Sequence, residues 1–190
     1  MYKGHITPCL TEGWMPHGDD VFPFGLHIIE TGYRQQSSIR IVMSTNTIRL
    51  HRVLRATPER VYRAFLDADA KAKWLPPNGF TGKVHHLDAK VGGTYKMSFT
   101  NFTTGQSHSF GGEYLELVPH ERIRYADRFD DPKLPGEMHV TITLRKVSTG
   151  TELSIVQEGV PDVIPAEACY LGWQESLILL AKLVEAEITA

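Results

Sequence analysis

A long apolar helix near the end of the chain limits what the rest can become. From Pro165 to Ile188, the residues Tyr170, Trp173, Leu177, Leu180, Ala181, Val184 and Ile188 recur at helical spacing and form one broad apolar face. Gln174, Glu175, Lys182 and Glu185 fall on the other side. Pro165 suits a first helical turn, where its missing N–H is no loss. Such a helix spans roughly 30 Å at about 1.5 Å per residue, the width of a small domain. Its apolar face must be covered, and nearly everything before it reads as short strands. The expected fold is therefore α+β: a curved antiparallel sheet of about seven strands wrapped around one long C-terminal helix. Tyr170 and Trp173 then stand at the wide end of the helix, either as plain core or as the wall of a cavity.

The preceding segments fit that plan. Asn46 to Leu54 alternates, with Ile48, Leu50, Arg52 and Leu54 on one face. Thr57-Pro58-Glu59 reads as a helix start, with Thr57 as cap and Pro58 at the first position. That helix carries Val61, Tyr62, Phe65 and Leu66 inward. A second short helix over Asp67 to Lys73 ends at Pro76-Pro77-Asn78-Gly79, with Trp74 at the corner. Strands follow at regular intervals between turn residues: Gly82 to Asp88, Gly93 to Thr100, Ser107 to Val118, Arg122 to Phe129, Met138 to Leu144 and Thr151 to Glu158. Gly111-Gly112 interrupts the longest, as a bulge or a close approach of backbones. The short turns make the sheet antiparallel.

Residues 1–45 have no such pattern. Glycine, proline, histidine and isolated aromatics mix without period, as in Thr11-Glu-Gly-Trp-Met-Pro-His-Gly-Asp-Asp20. The expectation is a disordered extension before a domain over residues 46–190, so that a chain starting at Met43 melts within a few degrees of the whole. A net charge of -2 argues against nucleic acid. No apolar run is long enough to span a membrane, and the start lacks the pattern of a signal peptide. Two cysteines, Cys9 and Cys169, make no disulfide framework. Both read as reduced thiols of a cytoplasmic protein.

The motifs resemble a known family. Ala56-Thr-Pro-Glu-Arg-Val-Tyr-Arg-Ala-Phe65, Trp74-Leu-Pro-Pro77, Lys90-Val-Gly-Gly93, Gly112-Glu-Tyr-Leu-Glu-Leu-Val-Pro119 with Glu121-Arg122, and Gly172-Trp173 are similar to the START-like, or SRPBCC, superfamily. Within it they resemble the group related to the activator of the heat-shock-protein-90 ATPase, C-terminal domain. The resemblance covers about residues 46–188 and implies the helix-grip fold. It also implies a concave space between sheet and helix that binds hydrophobic small molecules. Some superfamily members are aromatase/cyclases, so polyketide-cyclase-like chemistry is within its range. One fold hosts many functions, and the resemblance selects none of them.

Residue chemistry narrows the field. His85 and His86 are adjacent and point to opposite faces of a strand, and no Cys or His pair has zinc-site spacing. Cys169 on an apolar helix behaves as a small hydrophobe. There is no nucleophile elbow and no phosphate loop. No metal or cofactor is expected. The informative residues are polar ones on apolar strand faces: Arg52 between Leu50 and Leu54, Asp127 between Tyr125 and Phe129, and Gln157 after Ile155. A buried charge needs a partner, so these either pair structurally or face a wet cavity.

The leading expectation is a non-catalytic binder of an apolar or aromatic small molecule. Its cavity, of a few hundred Å³ and opening toward the Trp74 corner, has Trp74, Tyr95, Phe99, Phe110, Tyr125, Tyr170 and Trp173 as walls and Arg52 and Asp127 as polar contacts. An enzyme of cyclase, dehydratase or hydrolase type, with Asp127 or a nearby histidine as acid/base, is the second expectation. A co-chaperone-like interaction module, or a homodimer, is the third. Under any of them Trp173 is expected to be a keystone of packing, costing roughly 3–5 kcal/mol on change to Ala.

Overall fold

Period-two alternation and the intervening turns generate one seven-stranded antiparallel sheet in the computed structural model, which describes residues 46–187. The N-terminal extension and the truncation expected to leave the domain intact lie outside the described residues. Strand β1 (Asn46–Leu54) leads into α1 (Pro58–Leu66) and α2 (Ala68–Trp74). A meander follows: β2 (Phe80–Leu87), β3 (Thr94–Asn101), β4 (Ser107–Val118), β5 (Arg122–Phe129), β6 (Met138–Val147) and β7 (Gly150–Val160). Helix α3 (Ala166–Val184) closes the described chain. The strand order is β1-β7-β6-β5-β4-β3-β2, so β1 returns to pair with β7, and β1 and β2 form the edges. This is the expected helix-grip α+β fold.

Local chemistry accounts for the helix ends, with two corrections. Thr57 precedes Pro58, but its hydroxyl makes no cap; its carbonyl accepts from the Arg60 and Val61 N–H groups instead. The side-chain cap falls on Asp67, which accepts from the Ala70 N–H at 2.8 Å and starts α2. Helix α3 is shorter than its sequence pattern. Pro165 stands just outside it, it ends at Val184, and Ile188 lies outside the described residues. None of the described helices is long and apolar enough to cross a membrane.

Gly112 shows why glycine interrupts β4. A Cβ there would stand 1.8 Å from the Ala126 carbonyl oxygen and 3.0 Å from the Asp127 Cα on β5. The two backbones approach too closely for any side chain, and the β4–β5 register shifts between Tyr114 and Glu116.

Two apolar clusters fill the space between sheet and helices. The larger packs α1, α2 and the C-terminal half of α3 on the middle of the sheet, through Val61, Phe65, Trp74, Met97, Ile142 and Leu180. The smaller gathers Ile48, Met138, Val160, Ile164 and Cys169 beside the N-terminal turns of α3. Cys169 is not a free thiol, which corrects the reduced-thiol expectation for it; Cys9 lies outside the described residues.

Candidate functional site

The two clusters do not merge completely, and a cavity of about 100 Å³ remains between them. Strands β3, β4 and β5 supply Phe99, Phe110, Tyr125 and Phe129 as its sheet wall. Met138, Val140, Gln157 and Val160 continue that wall onto β6 and β7. Leu75 and Pro77 at the end of α2, with Gly172, Trp173 and Ser176 on α3, close the other side. The cavity is smaller than the few hundred Å³ expected. Its rings interlock edge-to-face, Phe99 on Phe110 at 4.9 Å and Phe110 on Phe129 at 6.4 Å between centroids, and so occupy most of the wedge between sheet and helix.

Small residues let α3 approach the corner after α2. The buried Ser176 hydroxyl lies 2.6 Å from the Leu75 carbonyl and 2.9 Å from that of Gly172. The preceding residue, Glu175, accepts the Asn78 backbone N–H at 3.0 Å. The stripe Cys169, Gly172 and Ser176 therefore faces inward, and Tyr170 and Trp173 are displaced to a partly buried flank. Trp173 still reaches the cavity: its indole N–H donates to Gln157 Oε1 at 2.7 Å, and the Gln157 amide lies 3.3 Å from Met138 Sδ.

The residues expected at the site divide into four groups. Phe99, Phe110, Tyr125 and Trp173 line the cavity. Trp74 lies in the core away from it, fully buried, its indole N–H donating to the Ala64 carbonyl at 2.8 Å and its ring edge-on to Phe65. Tyr170 and Arg52 are also off the cavity: the Tyr170 hydroxyl accepts the Arg49 backbone N–H at 3.1 Å, and Arg52 is half-buried at the β1 edge. Tyr95 and Asp127 belong to a separate buried polar cluster.

That cluster centres on Lys71, a residue the sequence reading missed. Lys71 on α2 is only 2% exposed, and its Nζ sits 3.8 Å from the centre of the Tyr95 ring, with Tyr125 at 5.3 Å and Tyr114 at 5.8 Å. An ammonium over aromatic faces is a favourable arrangement when water is excluded. The balancing charge is Asp127, 8% exposed. Burial pushes the Lys71 ammonium down to about 8, opposed by the attraction of Asp127. Burial also pushes the Asp127 carboxyl up to about 7, against the pull of Lys71 and of the Tyr95 hydroxyl. Tyr95, Tyr114 and Tyr125 are all raised, first by burial and then by the neighbouring carboxylate. Among the described residues, Asp127 Oδ1 and the Tyr114 hydroxyl have no hydrogen-bond partner.

The histidines stay apart, and no group of three metal-ligating side chains occurs among the described residues. His85 bonds Ser98 Oγ at 2.9 Å, His139 lies 3.2 Å from Glu137, and His120 packs edge-on against Tyr62. His108 is wedged between Phe80 and Phe99, and burial lowers its pKa.

The helix-grip arrangement has a counterpart in sequence. Residues 55–185 match the family described as Activator of Hsp90 ATPase homolog 1-like protein. The chain belongs to that family. Among solved structures, a Chromobacterium violaceum protein is similar at 69% identity and a TM-score of 0.74, covering 75% of this chain and 99% of its own. A Rhodobacter sphaeroides protein shares the fold at 22% identity and a TM-score of 0.64, over 72% of this chain and 90% of its own. A Nitrosomonas europaea protein does so at 19% identity and a TM-score of 0.63, over 72% and 92%. No curated protein matches. Within this Hsp90-activator-like family, then, the cavity and the Lys71 cluster are the chemical features of this chain that call for a function.

Proposed function

We propose that this member of the Activator of Hsp90 ATPase homolog 1-like family binds a small apolar or one-ring aromatic molecule between its sheet and α3. The observation that carries the reading is the cavity of about 100 Å³ between the two apolar clusters, lined almost entirely by apolar side chains. Engineered apolar cavities of about 150 Å³ stay dry and take up benzene, so a space of this order suits a single ring rather than a drug-sized ligand. Binding fits the walls better than catalysis does. The groups with strongly opposed shifts, Lys71 and Asp127, lie behind the cavity wall, whereas an acid or base must come within reach of the reacting atom. An interaction module has less support. Of the exposed large apolar residues, Val53, Val91, Phe102 and Leu115 are scattered over separate segments, and Val163, Leu171 and Ile178 are confined to α3 and the turn before it, where a docking surface needs a broad contiguous patch.

Toluene is a suitable probe. Titrated into the full chain, it is expected to shift the methyl NMR signals of Met138 and Val140 saturably and to raise the melting temperature with concentration, as any native-state ligand does. Unchanged methyl signals and melting temperature up to the solubility limit of toluene would sink the proposal.

A further inference from the structure

One side chain of the cavity wall is an amide held in a single orientation. Gln157 follows Leu153 and Ile155 in the period-two alternation of β7, on the face turned toward the helices. Its partners in register are Ile48 on β1 and Val140 on β6, both buried, and neither has a polar side chain to meet it. The Trp173 indole N–H can only donate, and it reaches Gln157 Oε1 at 2.7 Å. That bond settles which end of the amide is oxygen and turns the NH2 the other way, toward Met138 Sδ at 3.3 Å. An NH2 carries two hydrogens and a thioether is a weak acceptor, so the group retains donor capacity beyond this contact. Gln157, Trp173 and Met138 all line the cavity, and the amide head bracketed by the other two is part of its surface. Ser176, also in the wall, directs its one hydrogen at the Leu75 or Gly172 carbonyl instead.

Resting on the cavity reading above, we propose that Gln157 is the specificity-determining residue of the cavity and selects a one-ring aromatic ligand bearing a neutral hydrogen-bond acceptor, such as an aryl carbonyl. The ring of such a ligand lies against Phe99 and Phe110, and its acceptor points toward β7, where the Gln157 NH2 donates to it. Trp173 is the positioning residue: by holding Oε1 it keeps the donor end of the amide, and not the acceptor end, free for the ligand. A carbonyl or nitrile is a stronger acceptor than the Met138 thioether, so the ligand improves on the contact the amide already has. A charged head group is disfavoured, because the walls beside Gln157 are apolar and would leave the charge uncompensated out of water.

Benzonitrile and phenylacetylene have the same ring and nearly the same shape, but the first ends in a nitrogen that accepts a hydrogen bond and the second in a C–H. Their affinities for the full chain therefore test the amide directly. A purely apolar cavity prefers phenylacetylene, because the nitrile must give up its hydrogen bond to water. The expected result is the reverse: benzonitrile about fivefold tighter, the net effect of one neutral hydrogen bond. Benzonitrile, and not phenylacetylene, should also shift the side-chain NH2 signals of Gln157 in the NMR spectrum. In Gln157→Leu the preference is expected to revert to phenylacetylene. Phenylacetylene binding as well as or better than benzonitrile to the native chain overturns the role of Gln157 and leaves the cavity reading standing. An unchanged benzonitrile preference in folded Gln157→Leu also overturns it. Should that variant not fold, the native NH2 signals decide: the proposal stands if benzonitrile alone moves them and falls if it does not. Binding of neither probe overturns both readings together.

Discussion

Lys71 is held out of water by two things at once, the faces of three tyrosine rings and the opposite charge of Asp127. Removing one partner strands the other, so Lys71→Met alone is expected to cost about 3–5 kcal/mol, while Lys71→Met/Asp127→Leu is expected to be near neutral or stabilising. The pair also gives stability a distinctive dependence on pH. Asp127, raised from 3.8 to about 7, takes up a proton on folding between those values, so its burial grows more costly as pH rises through that window. Lys71, lowered from 10.5 to about 8, releases a proton on folding between about 8 and 10.5, so its cost fades as pH rises further. The native pair is therefore at its greatest disadvantage between about pH 7 and 8. Denaturant titrations of native chain and double variant should show the variant's relative stability peaking there and declining toward both pH 5 and pH 10, roughly the midpoints of those windows. Taking the difference cancels the exposed carboxylates Glu59, Glu116 and Glu152, which are held low and weaken both proteins in acid. A difference that does not vary with pH would show that the two groups are not charged partners. Half of this pair was legible in the sequence. Asp127 between Tyr125 and Phe129 announced a buried charge in need of a partner, but a lysine in the short polar helix Ala68–Trp74 reads as a solvated residue. The available clue was its spacing, three residues before Trp74, which puts both on one face.

Among the elements, the strands and turns follow from period-two alternation and glycine or proline punctuation, and their boundaries moved by at most three residues, at the end of β6. The rotation of α3 did not follow. Periodicity weights large apolar side chains, so Tyr170 and Trp173 read as inward-facing, whereas the closest contacts of the helix are made by Cys169, Gly172 and Ser176, small enough to admit the Leu75–Pro77 corner. This relocates the keystone of packing. Trp74 is fully buried, bonded to Ala64 and edge-on to Phe65, while Trp173 is partly exposed on the flank of a cavity that already lacks packing atoms. Trp74→Ala is expected to cost about 3–5 kcal/mol, and Trp173→Ala about 2 kcal/mol, because less surface returns to water and little new void is made. Equilibrium unfolding of the two variants checks the order; an equal or larger loss for Trp173 would put α3 back at the centre of the core.

At the scale of the whole molecule, a curved sheet gripping one nearly straight helix leaves a wedge that side chains must fill. The sequence showed that such a wedge exists and named four of its walls, yet overstated its volume, because edge-to-face packing of the rings is a property of the assembled sheet and not of any one strand. Phe99 tests how much of the wedge is truly empty. Its ring lies against Phe110 and His108 with the cavity beyond. Phe99→Trp adds volume that the cavity of about 100 Å³ can take, so the variant is expected to unfold within about 1 kcal/mol of the native chain. Overpacking of a filled core would cost roughly 1–3 kcal/mol. The same indole should occupy the space a ligand ring needs, and toluene affinity is expected to fall at least about tenfold, equivalent to 1.4 kcal/mol. Stability and affinity thus move independently if the wedge is a binding cavity: the first stays and the second falls. If instead stability falls and toluene binding is unchanged, the cavity between Phe99 and Trp173 is not where the ligand sits.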